Sequence, residues 1–208
     1  MSRPAVLVVS ASCGTGHASA ANALRQALVE RDPSLRVEHV DLLELAPRWV
    51  RATYGTGYER VAARAPWLWD RVYRGTDGDA DDSRWGPLAH RLVFREFRRL
   101  LLKGDWGLCL CTHFLPCQLA AGRPGLPPFA LVVTDFTLHR VWVQPGVHRY
   151  FVATDAVRAD LRRRRVRGTR VQVSGIPISP DFAAAPPRAE ARAALGLDAG
   201  RPVAVVMG

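Results

Sequence analysis

The chain predicts an α/β fold built on a parallel sheet, and three observations carry that expectation. The apolar run Val6-Leu7-Val8-Val9 passes through a glycine turn, Ser10-Ala11-Ser12-Cys13-Gly14-Thr15-Gly16, and delivers His17 to the start of a helix-forming stretch. A second strand-like run, Leu35 to Asp41, follows after a crossover of the length that parallel strands need. Later short apolar runs finish in polar residues at His113, at Thr134-Asp135 and at Gly175, as strands do when their carboxyl ends line a ligand crevice.

Taken in order, the first strand spans 4–10. Its lack of alternation marks a parallel strand covered on both faces. Gly14 and Gly16 permit a tight turn and close backbone approach. The helix expected over 17–31 is rich in alanine and other helix formers, with small residues that pack closely on a sheet. The strand over 35–41 alternates. From 47 to 75, Trp49, Tyr54, Tyr58, Trp67, Trp69 and Tyr73 interleave with arginines between the breaks at Pro47 and Pro66. Such a cluster suits core packing or a half-wet membrane interface. The polar loop over 75–83 has the aspartate spacing of a calcium loop. Asp82 at the sixth position and Leu88 at the twelfth exclude that assignment.

Residues 85–103 form a basic amphipathic helix. Val93, Phe94, Phe97, Leu100 and Leu101 fall on one side, with Arg91, Arg95, Arg98, Arg99 and Lys103 opposite. Two readings stand: a surface helix docked on the sheet, or a helix lying in the plane of an anionic bilayer. Strands follow at 107–113, 129–135, 150–154 and 171–178, with a helix through Leu161 and an arginine run at its end, Arg162 to Arg165. Pro186-Pro187 opens a linker, a short helix ends near Leu195-Gly196, and 201–208 reads as a further buried strand stopping at a glycine. The expected division is one domain over 1–180, with 181–208 a linker and the start of a second domain belonging to a longer protein.

Composition sets limits. Of the 208 residues, 48% are hydrophobic, which excludes disorder as the default. The net charge of +10 is carried by arginine, Lys103 being the only lysine, and suits anionic partners. No run approaches the roughly 18 apolar residues of a spanning helix, and the N-terminus lacks a signal-type core. A cytoplasmic protein with at most peripheral membrane contact is expected. Cys13, Cys109, Cys111 and Cys117 lack Cys-x-x-Cys spacing, so reduced thiols are expected, and no His/Asp cluster has metal-ligand spacing.

In a parallel sheet the polar strand ends gather on one edge: Gly14 to His17, His113, Thr134-Asp135 with His139, and Gly175. The Gly-x-Gly turn lacks the third glycine of a dinucleotide fingerprint, since Ser19 follows, and by itself fits a ligand-binding turn as well as a catalytic histidine. Four motifs sharpen this. They are Ser10 to His17 with Ala20-Ala21-Asn22-Ala23-Leu24; Val133-Thr134-Asp135-Phe136 with His139 and Trp142; Tyr150-Phe151-Val152-Ala153; and Ser174-Gly175-Ile176-Pro177-Ile178 with Phe182. Together they resemble the N-terminal half of the diacylglycerol glycosyltransferases, the family of plant monogalactosyldiacylglycerol synthases and bacterial processive diacylglycerol glucosyltransferases. Order and spacing match across nearly all of the chain, more loosely over 47–105.

The resemblance implies the N-terminal, acceptor-side Rossmann-like domain of a GT-B glycosyltransferase that moves a hexose from a UDP-sugar to diacylglycerol with inversion. The donor would lie mostly in a C-terminal domain, so the chain alone would be inactive. It implies His17 as general base and Asp135 as the group that orients or charge-stabilises it, or else caps a turn. Gly14, Thr15, Gly16, His113, Thr134, His139, Trp142 and Gly175 would bind substrate. Phe94, Arg95, Arg98 and Arg99 would meet an anionic membrane on its cytoplasmic face. No metal and no cofactor beyond the UDP-sugar is implied. Two alternatives remain: the same fold acting on another acceptor, as in a peptidoglycan-precursor N-acetylglucosaminyltransferase or a UDP-sugar epimerase, and a noncatalytic anion- or RNA-binding module. The chain lacks an RNA-recognition motif, so no nucleic-acid partner is expected.

Overall fold

A computed structural model describes residues 5–12, 15–48 and 87–206. Cys13, Gly14, the aromatic stretch from Trp49 onward and the polar loop over 75–83 lie outside the described residues. Labelled in chain order among the described residues, the strands are β1 (Ala5–Ser10), β2 (Arg36–Asp41), β3 (Leu108–Cys111), β4 (Phe129–Val132), β5 (Val147–Val152) and β6 (Val171–Val173). The helices are α1 (Thr15–Arg31), α2 (Pro87–Lys103), α3 (Phe114–Ala120), α4 (Asp155–Arg163) and α5 (Arg188–Ala194). All strand pairs are parallel, in the order β2-β1-β3-β4-β5-β6. This is an α/β Rossmann-like fold.

The two faces of the sheet explain the sequence of its central strands. Val6 and Val8 of β1 join Ala21, Leu110, Ala130 and Val132 under α1. Ala5, Leu7 and Val9 point the other way, into a core with Phe97 and Leu101 of α2, Leu115 and Leu119 of α3 and Leu161 of α4. A strand covered on both sides needs apolar residues at every position, and β1 is buried throughout. Edge strand β2 keeps the alternation read from its sequence. Buried Ala20, Ala21 and Ala23 let α1 lie close to the sheet.

Strand order reverses between β1 and β3, so the segments leaving their carboxyl ends diverge and open a crevice there. His17 and the residues after β3 therefore sit at one switch point. At the opposite edge Gly122 and Gly146, both with positive φ, pass so close that a Cβ on Gly146 would stand 2.5 Å from the Gly122 Cα.

Three elements depart from expectation. Helix α3 is not foreshadowed by any periodicity; it is short and carries Pro116, which its first turn tolerates because that N–H has no helical acceptor. His113 caps it, its ring Nδ1 accepting from Leu115 N at 3.1 Å. Residues 202–206, expected to be a buried strand, pair with no described strand and leave Val206 95% exposed. The strand after 171 ends at Val173 because Gly175, at φ +80°, turns the chain away. Cys109, Cys111 and Cys117 are free and buried, with the first two sulfurs 3.7 Å apart on one strand face. Burial pushes all three thiols up in pKa.

Candidate active site

The site is assembled by three strand ends. His17 lies in the first turn of α1, Thr112 and His113 directly follow β3, and Thr134 and Asp135 follow β4. The Thr112 carbonyl is 2.9 Å from His17 Nδ1, and the Thr112 hydroxyl donates to the His17 carbonyl at 2.8 Å. Thr134 Oγ1 lies 2.9 Å from the same Nδ1. Among the described residues, none is hydrogen-bonded to Nε2 of His17.

The ring is half-buried. His113 meets it edge-on, with centroids 4.7 Å apart, and Trp142 stands 6.1 Å away. His113 itself stacks on Phe114 at 4.2 Å, and Phe114 packs edge-on against Trp142 at 5.8 Å. Removal from water holds the His17 pKa below the ordinary histidine value, against the opposing pull of the Thr112 carbonyl and the negative charge of Asp135. The imidazole is thus neutral at physiological pH, the state that accepts a proton.

Three of the expected ligand contacts are buried. Trp142 is 2% exposed, His139 4% and His113 5%. Trp142 donates its indole N–H to Asp135 Oδ2 at 2.8 Å, and His139 Nδ1 accepts from Val141 N at 3.3 Å, capping the turn that carries Trp142. His113 and Trp142 pack against the His17 ring, and little surface of the three side chains is exposed. Asp135 reaches His17 by charge and not by a hydrogen bond; its carboxylate is engaged by the indole. Thr15 and Gly16 are exposed, and a Cβ on Gly16 or on Gly175 would meet nothing within 4 Å, so the space beside both is open. Gly14 lies outside the described residues.

Residue-type reasoning passed over two groups. One is Thr112; the signal was a hydroxyl residue at the end of a buried strand, immediately before His113. The other is Asp41, which closes β2. It accepts from Ser12 N at 3.2 Å, from the Ser12 hydroxyl and from Leu43 N at 2.8 Å, and so ties the glycine turn to the neighbouring strand. Beneath it, fully buried Ser10 pairs its hydroxyl with His39 Nε2 at 2.9 Å.

On α2 the basic residues divide. Arg95, Arg98, Arg99 and Lys103 are exposed, but Glu96 pairs with Arg99 at 2.6 Å and Arg95 at 3.3 Å. Phe94, expected at the membrane, packs against the core instead and is covered by the Arg123 guanidinium, 4.4 Å from its ring centre. No helix among the described residues is long and apolar enough to cross a membrane.

The family model for monogalactosyldiacylglycerol (MGDG) synthase matches residues 17–178, from His17 through the turn after β6. The chain belongs to the MGDG synthase family. Among relatives of this family member, a processive diacylglycerol beta-glucosyltransferase of Bacillus cytotoxicus is 24% identical over 201 residues, covering 86% of this chain and 46% of the relative. A probable chloroplastic monogalactosyldiacylglycerol synthase of Nicotiana tabacum is 24% identical over 212 residues, covering 98% of this chain and 39% of the relative. A stronger local match, 40% over 76 residues, covers 36% of this chain and 20% of a processive diacylglycerol beta-glucosyltransferase of Bacillus pumilus. The chain spans less than half the length of these curated relatives.

Proposed function

We propose that the protein is an inverting GT-B glycosyltransferase of glycolipid synthesis that transfers a hexose from a UDP-sugar to diacylglycerol, with His17 as general base. The observation that carries this reading is the His17 ring: fixed through Nδ1, neutral at physiological pH, and with no described partner on Nε2. The family membership and the names of the relatives supply the substrate class.

In the step itself the free glycerol hydroxyl of diacylglycerol attacks the anomeric carbon of the sugar. The new C–O bond forms on the face opposite the bond to the diphosphate, which breaks with its electron pair leaving on UDP. The hydroxyl proton passes to Nε2, relieving the poor nucleophilicity of a neutral alcohol. The nearby Asp135 charge favours the imidazolium that results. Thr15, Gly16 and Gly175 border the open space in which acceptor and donor would meet, and the exposed helix α1 start offers its N–H groups to the departing diphosphate. No metal or cofactor enters this scheme.

Because the relatives are more than twice as long as their matched regions, the reading assigns the donor to a second domain and expects this chain alone to be inactive. It further places the protein on the cytoplasmic face of a membrane, through Arg95, Arg98 and Arg99 of α2 and anionic lipid. The test is incubation of the intact protein with a panel of UDP-sugars and diacylglycerol liposomes, followed by mass analysis of the lipid. A hexosyl-diacylglycerol product that falls by about 10²–10⁴ in His17→Ala is expected. Transfer only to a soluble acceptor, or a His17→Ala protein with wild-type turnover, overturns the acceptor or the base assignment respectively.

A further inference from the structure

An imidazole has two nitrogens, and a base works only if the right one holds the lone pair. His17 Nδ1 faces the carbonyl oxygen of Thr112 at 2.9 Å. A carbonyl oxygen only accepts, so the hydrogen of the neutral ring resides on Nδ1 and the lone pair on Nε2. In the other tautomer two lone pairs would oppose each other at that distance inside a half-buried site. Thr134 Oγ1, also 2.9 Å from Nδ1, can donate or accept; with the tautomer set by the Thr112 carbonyl, it accepts a share of the same N–H.

Thr112 is placed to make the arrangement rigid. It is fully buried, so it contacts no substrate. Its N–H donates to Val9 O of β1 at 3.0 Å, its hydroxyl donates to the His17 carbonyl at 2.8 Å, and its carbonyl receives the His17 ring. One residue thus binds the strand before the glycine turn, the backbone of the helix after it, and the imidazole itself. A turn whose flanks are clamped by one neighbouring strand end cannot swing its histidine independently of the sheet.

We infer that Thr112 and Thr134 are positioning residues that hold neutral His17 as its Nδ1–H tautomer and aim the unprotonated Nε2 at the acceptor hydroxyl. This rests on the reading of His17 as the base, and it reassigns Thr134 from binding substrate to orienting the ring. On proton transfer Nε2 gains a hydrogen while the Nδ1–H bond to the Thr112 carbonyl persists, so the orienting bond need not be remade during the reaction. The orienting group is neutral main chain, where many histidine bases rely on a carboxylate. The scale of what is at stake is known from a serine-protease triad, where imposing the wrong tautomer costs about 10⁴ in kcat.

The test begins without substrate. In the intact protein labelled with ¹⁵N-histidine, the His17 signals, assigned by their loss in His17→Gln, should show a protonated Nδ1 and an unprotonated Nε2 at a pH where the ring is neutral. A protonated Nε2 overturns the inference. The variants Thr112→Val and Thr134→Val should then lower kcat by about tenfold or more while KM for the acceptor stays within about twofold, with Thr112→Ser and Thr134→Ser restoring turnover. Wild-type kcat in Thr134→Val, or a raised KM at unchanged kcat there, overturns the positioning role of Thr134, and wild-type kcat in Thr112→Val, which keeps the carbonyl, overturns the clamp through the Thr112 hydroxyl. Retained turnover in His17→Ala would sink the base reading itself, a result separate from the tautomer that the spectrum reports.

Discussion

At Asp135 charge and geometry act separately. The carboxylate accepts the Trp142 indole at 2.8 Å and lends His17 only its field, which raises a pKa that burial lowers more. Asp135→Asn keeps an oxygen for the indole N–H and removes the charge, so the His17 pKa should fall further. The acid limb of the kcat/KM profile, which reports the free enzyme's base, should therefore move to lower pH, with the plateau reduced because the imidazolium loses its counter-charge. An unmoved limb in a pH-rate series would mean that Asp135 serves only to hold Trp142. Residue identity drew notice to His17 after the glycine turn and to Thr134 at a strand end, because a histidine and a hydroxyl there have few uses in a core, but the expected role of Thr134 was substrate binding. It could not reveal Thr112 as a partner, since the acceptor there is a main-chain carbonyl that any residue carries. Nor could it say which way His113, His139 and Trp142 face; a motif marks a place, and burial decides whether the side chain there meets ligand or wall.

The elements carry their meaning in what they pack against. Strand β1 was readable because two-sided burial writes itself into an unbroken apolar run, and α1 because small residues at the sheet contact leave an alanine-rich signature. Helix α3 was not, because seven residues with an internal proline are too few for a period to register. Helix α2 is the instructive case. Phe94, Phe97, Leu100 and Leu101 pack on the body of the fold, and the exposed Arg95, Arg98, Arg99 and Lys103 are partly neutralised by Glu96, whose carboxyl is held below the usual glutamate range by Arg99. If those basic residues meet an anionic bilayer, Glu96 opposes binding. Glu96→Gln frees Arg95 and Arg99 and adds one net positive charge, worth about 1 kcal/mol near such a surface, or roughly fivefold in partition coefficient. Sedimentation with vesicles containing phosphatidylglycerol should show that gain at low salt and lose it as salt rises. Equal binding by wild type and variant would leave α2 as a docked surface helix.

Across the whole molecule the carboxyl edge of the sheet concentrates polar groups that the fold keeps from water, and stability should record this. Both His17 beside β3 and His39 on β2 have pKa values lowered chiefly by burial, His39 also by the charge of Arg25 against the opposing pull of Asp41 and Glu44. A group with a depressed folded-state pKa binds fewer protons in the native than in the unfolded chain once pH falls below the unfolded value of about 6.5. Stability contributed by the two neutral rings is therefore fully present above about pH 6.5 and is lost as pH falls from there through their folded pKa values. The exposed carboxylates Asp32 and Glu96, lowered by Ser34 and by Arg99, lose their contributions only in the more acidic range where carboxylates titrate. Urea midpoints should thus decline from pH 7 to pH 5, and less steeply in the double variant His17→Gln, His39→Gln, whatever its absolute stability. Parallel curves for wild type and variant would show that neither ring is desolvated in solution. That result would remove the physical basis for the proposed neutral base at the switch point, since the burial that lowers the His17 pKa is the same burial that makes the fold sensitive to acid.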